Sequence, residues 1–157
     1  MTKYESLLRE TPVFLSEKAD LPEEIKGLYI ESRSSQAILL NRNIPTAAEK
    51  GCILAEELGH YHTTAGDITD QSKLVNRKQE KRARNWAYEK LIPLPDFVDA
   101  YRAGCRNAFE IADYLEVTEE FLGRSIIHYQ EKYGQMVMLG SCCLYFDPLG
   151  IAEMFGK

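Results

Sequence analysis

Leu54-Ala55-Glu56-Glu57-Leu58-Gly59-His60 is the stretch on which the reading of this chain turns. Thr46 with Glu49 three positions on forms a capping-box pattern with Pro45 just outside it, so a helix is expected to begin there and run to about Tyr61. On that helix Glu56 and His60 are four residues apart, one turn along a shared face. A carboxylate oxygen and an imidazole nitrogen are both ligands for a divalent ion, and Glu57 beside them is a candidate general base. Ala47, Gly51, Leu54, Leu58 and Tyr61 recur at helical spacing as an apolar stripe. Ala48, Cys52, Ala55 and Gly59 line an adjoining stripe of small residues that permits close approach of a second element.

A third ligand is offered by Glu80-Lys81-Arg82-Ala83-Arg84-Asn85-Trp86-Ala87-Tyr88-Glu89-Lys90-Leu91, which carries Ala83, Trp86, Ala87 and Leu91 on one side and stops before Ile92-Pro93. Glu80 stands three before Ala83, at the start of the inward stripe, and the segment from Thr63 to Asn76, with Gly66, Asp67 and Asp70, is long enough for the two helices to fold together. Glu56, His60 and Glu80 then converge on one ion, with Glu57 alongside. The pattern is His-Glu-x-x-His with Glu56 in place of the first histidine. A carboxylate is a harder ligand than imidazole, adds negative charge and shifts preference toward manganese or magnesium, so manganese stands as the alternative to the expected zinc. Each residue alone has a plainer reading: paired acids on a solvated helix, a histidine at the negative end of a helix dipole, and a glutamate in a first helical turn. His62, two positions past His60, points to another side of a continuous helix, and His128 reads as a surface residue.

Around this centre the chain reads as α+β. A short helix at Tyr4–Glu10 and a polar segment through Pro22 precede a hairpin of Gly27–Ile30 and Gln36–Leu40, with Asn41-Arg42-Asn43 turning the chain. Beyond Pro93 come short helices around Phe97–Cys105 and Ala108–Leu115, then a third from the N-cap Thr118 to Gly134, in an order like helix-turn-helix. The third helix opens with Glu119-Glu120, and Asp96 to Gly134 holds eight acidic and four basic residues, so phosphate would be repelled and a packing or partner-binding role is expected. Gln135–Leu139 and Cys142–Phe146 form a hairpin, after which Asp147-Pro148 should start a C-terminal helix with Leu149, Ala152 and Phe155 on its apolar side. Lys73, Arg77, Lys78, Lys81, Arg82 and Arg84 make a basic run that reads as a solvated face or as a rim drawing in an acidic segment. The net charge of −5 argues against general nucleic-acid binding. The four cysteines lack Cys-x-x-Cys spacing and read as reduced, no apolar run reaches membrane length, and the N-terminus has no signal-peptide pattern, so a cytoplasmic protein is expected.

The sequence resembles the ImmA/IrrE family of zincin-type metallopeptidases, in the small form carried by phages and integrative elements. The resemblance lies in Ala37–Asn41 with Ile44-Pro45, Ile53–Tyr61, Glu80–Ala83, Trp86-Ala87 with Leu91–Pro93, and Ala112–Thr118. It implies a zincin-like core over residues 1–93, with a small antiparallel sheet and the metal-site helices, and a helix-turn-helix-like module with a C-terminal hairpin over 94–157. It further implies Glu57 as base, His60 and Glu80 as second and third ligands, and a helix-turn-helix repressor of a mobile element as substrate. Departures are Glu56 for His, Arg84 for Asn or Asp, and Trp86 for Phe. The activity expected is metal-dependent cleavage of that repressor, the alternative being a noncatalytic antirepressor that masks it.

Overall fold

A computed structural model describes residues 1–63 and 74–154, with the side chains of 74–76 left aside. The expected connection from Thr63 to Asn76, Lys73 of the basic run, and Phe155 lie wholly or partly outside the described residues. The chain divides into two compact units, Met1–Ala87 and Tyr88–Lys157.

In the first unit α1 (Lys3–Glu10) is closed by a capping box between Thr2 and Glu5. Three strands follow: β1 (Phe14–Ala19), β2 (Gly27–Glu31) and β3 (Gln36–Asn41). They form a sheet in the order β1-β3-β2. The expected hairpin is β2 with β3, pairing Leu28 with Leu39 and Tyr29 with Ile38. The sheet is not purely antiparallel as expected: β1, which lies where a polar segment was anticipated, pairs with β3 in parallel, Leu15 opposite Ile38. The strand is poorly marked in sequence because it is an edge strand. Phe14, Glu17 and Lys18 are all exposed, so it lacks the apolar alternation of a half-buried strand. Buried Asn41 holds the chain between β1 and β2, its amide donating to the carbonyls of Leu21, Pro22 and Ile25 at 3.2, 3.1 and 2.9 Å.

Helix α2 (Ala47–Thr63) starts where expected, with the Glu49 N–H donating to Thr46 Oγ1 at 3.1 Å. The side chain of Glu49 turns instead to Lys26, so this half of the anticipated box is replaced by an ion pair. Gly51, Cys52, Leu54, Ala55, Leu58 and Gly59 are buried, whereas Ala47 at the head of the predicted stripe is exposed. Helix α3 (Leu74–Leu91) begins six residues before Glu80. Glu80 is therefore mid-helix, and neither the expected position at the helix start nor a dipole role in a first turn applies to it.

The two helices meet backbone to backbone. A Cβ built on Gly59 would lie 2.2 Å from the carbonyl oxygen of Ala83, which is itself fully buried. The small-residue stripe is thus used for the close approach its composition allows.

The second unit holds α4 (Leu94–Arg102), α5 (Ala108–Tyr114) and α6 (Glu119–Tyr133). Asn107 caps α5 and Thr118 caps α6, each accepting from the backbone N–H three residues on, and Gly134 ends α6 with φ of 85°. Strands β4 (Met136–Leu139) and β5 (Cys142–Phe146) are the expected hairpin. The predicted C-terminal helix is absent: Leu149–Glu153 is a third strand, β6, antiparallel to β5 and joined to it by a turn with a cis Asp147-Pro148 bond. In that turn Pro148 reverses the chain, and Leu149 pairs with Phe146 rather than entering a first helical turn. Tyr129 organises the core of this unit, donating to the Ile92 carbonyl at 2.7 Å with the rings of Phe97, Tyr133 and Phe146 packed around it. His128 is buried rather than at the surface, bonded to Glu89 at 2.8 Å, with Lys132 donating to the same carboxylate.

Gly59→Ala should lower stability by about 1–3 kcal/mol, although alanine favours an exposed helix by roughly 1 kcal/mol over glycine. Urea unfolding of the two forms checks it.

Candidate metal centre

The contact of Gly59 with Ala83 sets the neighbouring residues, His60 on α2 and Glu80 on α3, against each other. His60 Nε2 is 3.4 Å from Glu80 Oε1, with the histidine buried and the glutamate side chain 23% exposed. That separation is at the long end of the hydrogen-bond range. It matches the edge between two ligands of one tetrahedral zinc, since bonds of about 2.0–2.2 Å at the tetrahedral angle put the donors roughly 3.3–3.5 Å apart. This pair therefore fits a shared ion. Among the described residues no set of three His, Cys, Asp or Glu side chains is gathered in a metal-holding arrangement, so Glu56, half-buried on α2, is not drawn into a completed triad.

Glu57 faces the sheet. Gly27 of β2 lies against it, a Cβ there falling 3.3 Å from Glu57 Oε1, so a larger residue on β2 would crowd the carboxylate. Burial raises the Glu57 pKa to about 7. His60 pulls it down, Glu56 and Glu80 push it up, and the Tyr29 backbone N–H, bonded to the carboxylate, favours the charged form. For His60 burial disfavours the cation, but the bond to Glu80 and the fields of Glu57, Glu80 and Glu56 outweigh it, and the net shift is upward. Glu80 is held below its ordinary value by its bond to His60, against burial, with the charges of His60 and Arg84 adding to the effect.

Three features here escaped the sequence. Gly27 and Tyr29 were legible only as strand residues, because nothing in a hairpin pattern says which backbone group faces a helix. Arg84, noted as a departure from the family pattern, reaches Glu80 at 3.6 Å one turn away. The spacing of Glu80 and Arg84 was the signal for that pair. His62 is exposed and stacks on Trp86, with centroids 4.6 Å apart and planes at 23°, and Tyr61 and Tyr29 continue the aromatic row.

The first unit is thus an α+β arrangement in which a sheet packs on the helix that carries Glu-Glu-x-x-His, and a second helix brings a glutamate to that histidine. The model of the IrrE N-terminal-like domain, a peptidase family, matches residues 13–126, and the chain belongs to this ImmA/IrrE family of zincin-like peptidases. Membership carries a peptidase-type function of a metal-dependent class. No curated protein and no solved structure matches the chain. No described helix is long and apolar enough to cross a membrane.

The pKa shifts predict how the metal-free chain responds to pH. Between the ordinary 4.5 of a glutamate and about 7, folded Glu57 keeps a proton that the unfolded chain releases, so stability falls as pH rises across that window. His60 acts in the same direction, its contribution being full below its ordinary 6.5 and lost as pH rises through the higher folded value. The depressed Glu80 contributes stability that is lost only at more acid pH, as pH falls below 4.5. Thermal unfolding of chelator-treated protein should show a falling midpoint from about pH 5 to about pH 8, and Glu57→Gln should be more stable than the parent at the alkaline end by about 1–3 kcal/mol.

Proposed function

We propose that the protein is a metal-dependent endopeptidase acting on a helix-turn-helix repressor of a phage or mobile element, with Glu57 as general base. His60 and Glu80 would hold the divalent ion, zinc or manganese, with Glu56 as the third donor. The observation that carries the reading is the 3.4 Å meeting of His60 with Glu80 beside the withdrawn carboxyl of Glu57. The bound ion would supply Lewis acidity beside the scissile carbonyl. Glu57, with a pKa near 7, accepts the proton of the attacking water and returns it to the departing amine. Tyr29 and Gly27 bring β2 against that carboxyl and restrict water around it. The division of labour proposed is a peptidase core over residues 1–93 and a helix-turn-helix-like partner-binding module over 94–157, in a cytoplasmic protein that does not itself bind DNA.

A second reading, a noncatalytic antirepressor that masks its partner, is favoured by one observation. Glu80 already meets His60 and Arg84, so its charge is partly satisfied by the chain's own cations. Incubation with the repressor separates the two readings. Hydrolysis yields two fragments, and Glu57→Gln should still bind repressor but cut it about 10²–10⁴-fold more slowly. A stable stoichiometric complex without fragments, equally inhibitory in Glu57→Gln, selects masking.

Glu56→His restores the two-histidine ligand set and should tighten zinc by about tenfold or more, because imidazole suits this ion better than a second carboxylate. Competition with a fluorescent zinc chelator measures it. Unchanged affinity removes Glu56 from the ligand set.

A further inference from the structure

We propose that the second unit carries a binding site for a small monocarboxylate with an apolar tail. A cavity of about 320 Å³ opens there, lined by Phe97, Ile111, Leu144 and Ile151 among others, with Arg106 contributing to its lining. Of these lining residues Phe97 and Leu144 are buried, whereas Arg106 is exposed. The volume is at the small end of the range for ligand pockets, about 300–1,000 Å³, which limits the guest to a compact molecule.

The charge in the lining sets the chemistry. Residues 88–157 carry eleven acidic and six basic side chains. Arg102 meets Glu153, Arg124 meets Glu120 and Lys132 meets Glu89. Among the described residues no carboxylate lies within ion-pair distance of Arg106, despite the excess of acids around it. A guanidinium presents a planar fork that matches a carboxylate with two parallel bonds. An apolar recess with such a group in its lining selects a guest with an acid at one end and hydrocarbon at the other. Gly104, at φ of 93°, turns the chain out of α4 just before Cys105 and Arg106, which join Phe97 and Tyr101 of that helix in the lining. The β5–β6 hairpin supplies the facing wall through Leu144 and Ile151.

The inference concerns residues 88–157 alone and is read as binding, so it stands or falls separately from peptide hydrolysis. The test titrates the full chain with octanoate, octanol and octylammonium, following methyl resonances of Ile111, Leu144 and Ile151. Octanoate should bind saturably with a Kd below about 1 mM, at least about tenfold tighter than octanol, and octylammonium should bind no better than octanol. Arg106→Met, a surface change that leaves the core intact, should erase the advantage of octanoate over octanol. Ile151→Trp should fill the recess and weaken both, and if that variant fails to fold, Arg106→Met decides alone. Equal affinity for the three probes, an unchanged preference in Arg106→Met, shifts confined to other residues, or no saturation below about 10 mM would overturn the proposal.

Discussion

Everything at the candidate centre depends on the absence of one side chain. Gly59 has no Cβ because there is no room for one: the Ala83 carbonyl oxygen stands 2.2 Å from where it would be. At that contact α2 and α3 touch through their backbones, and the next residue on α2 is His60. Its partner Glu80 lies three positions before Ala83 on α3, one helical turn away. A larger residue at either contact position would move the helices apart and open the 3.4 Å gap between imidazole and carboxylate. The cost of a glycine inside a helix, roughly 1 kcal/mol relative to alanine, is the structural expense of holding that gap closed.

The electrostatics follow from the same packing. The charges of Glu56, Glu57 and Glu80 all act on a single buried imidazole, and the excess negative charge is distributed unequally. Glu80, bonded to His60, keeps its charge easily, whereas Glu57, turned toward the sheet, holds a proton up to about pH 7. Two carboxylates on facing elements thus have their pKa values pushed apart by surroundings. A cation placed between His60 and Glu80 would relieve the crowding, and Arg84 and protonated His60 do so in part within the chain itself.

The α2 part of this candidate centre is legible in the sequence because it is local. Glu56, Glu57 and His60 are fixed by helical spacing, and Thr46, Thr118 and Gly134 mark helix ends through backbone chemistry that depends on few neighbours. What escaped depended on tertiary context. Strand β1 exposes half of its residues, buries none fully, and exists by pairing with β3. The C-terminal strand replaces a predicted helix because Asp147-Pro148 suits a turn as well as a helix start, and the neighbouring β5 edge decides the outcome. His128 is buried and bonded to Glu89, thirty-nine residues earlier in the chain, which no local pattern could indicate.

The most direct test is X-ray absorption at the zinc edge of the loaded protein, with His60→Ala and Glu80→Ala beside it. One nitrogen-bearing ring and carboxylate oxygens at about 2.0–2.2 Å, both contributions altered in the two variants, is the result this account predicts. A stoichiometrically bound ion whose spectrum is the same in parent and both variants would contradict it, as would failure of the parent chain to retain any divalent ion.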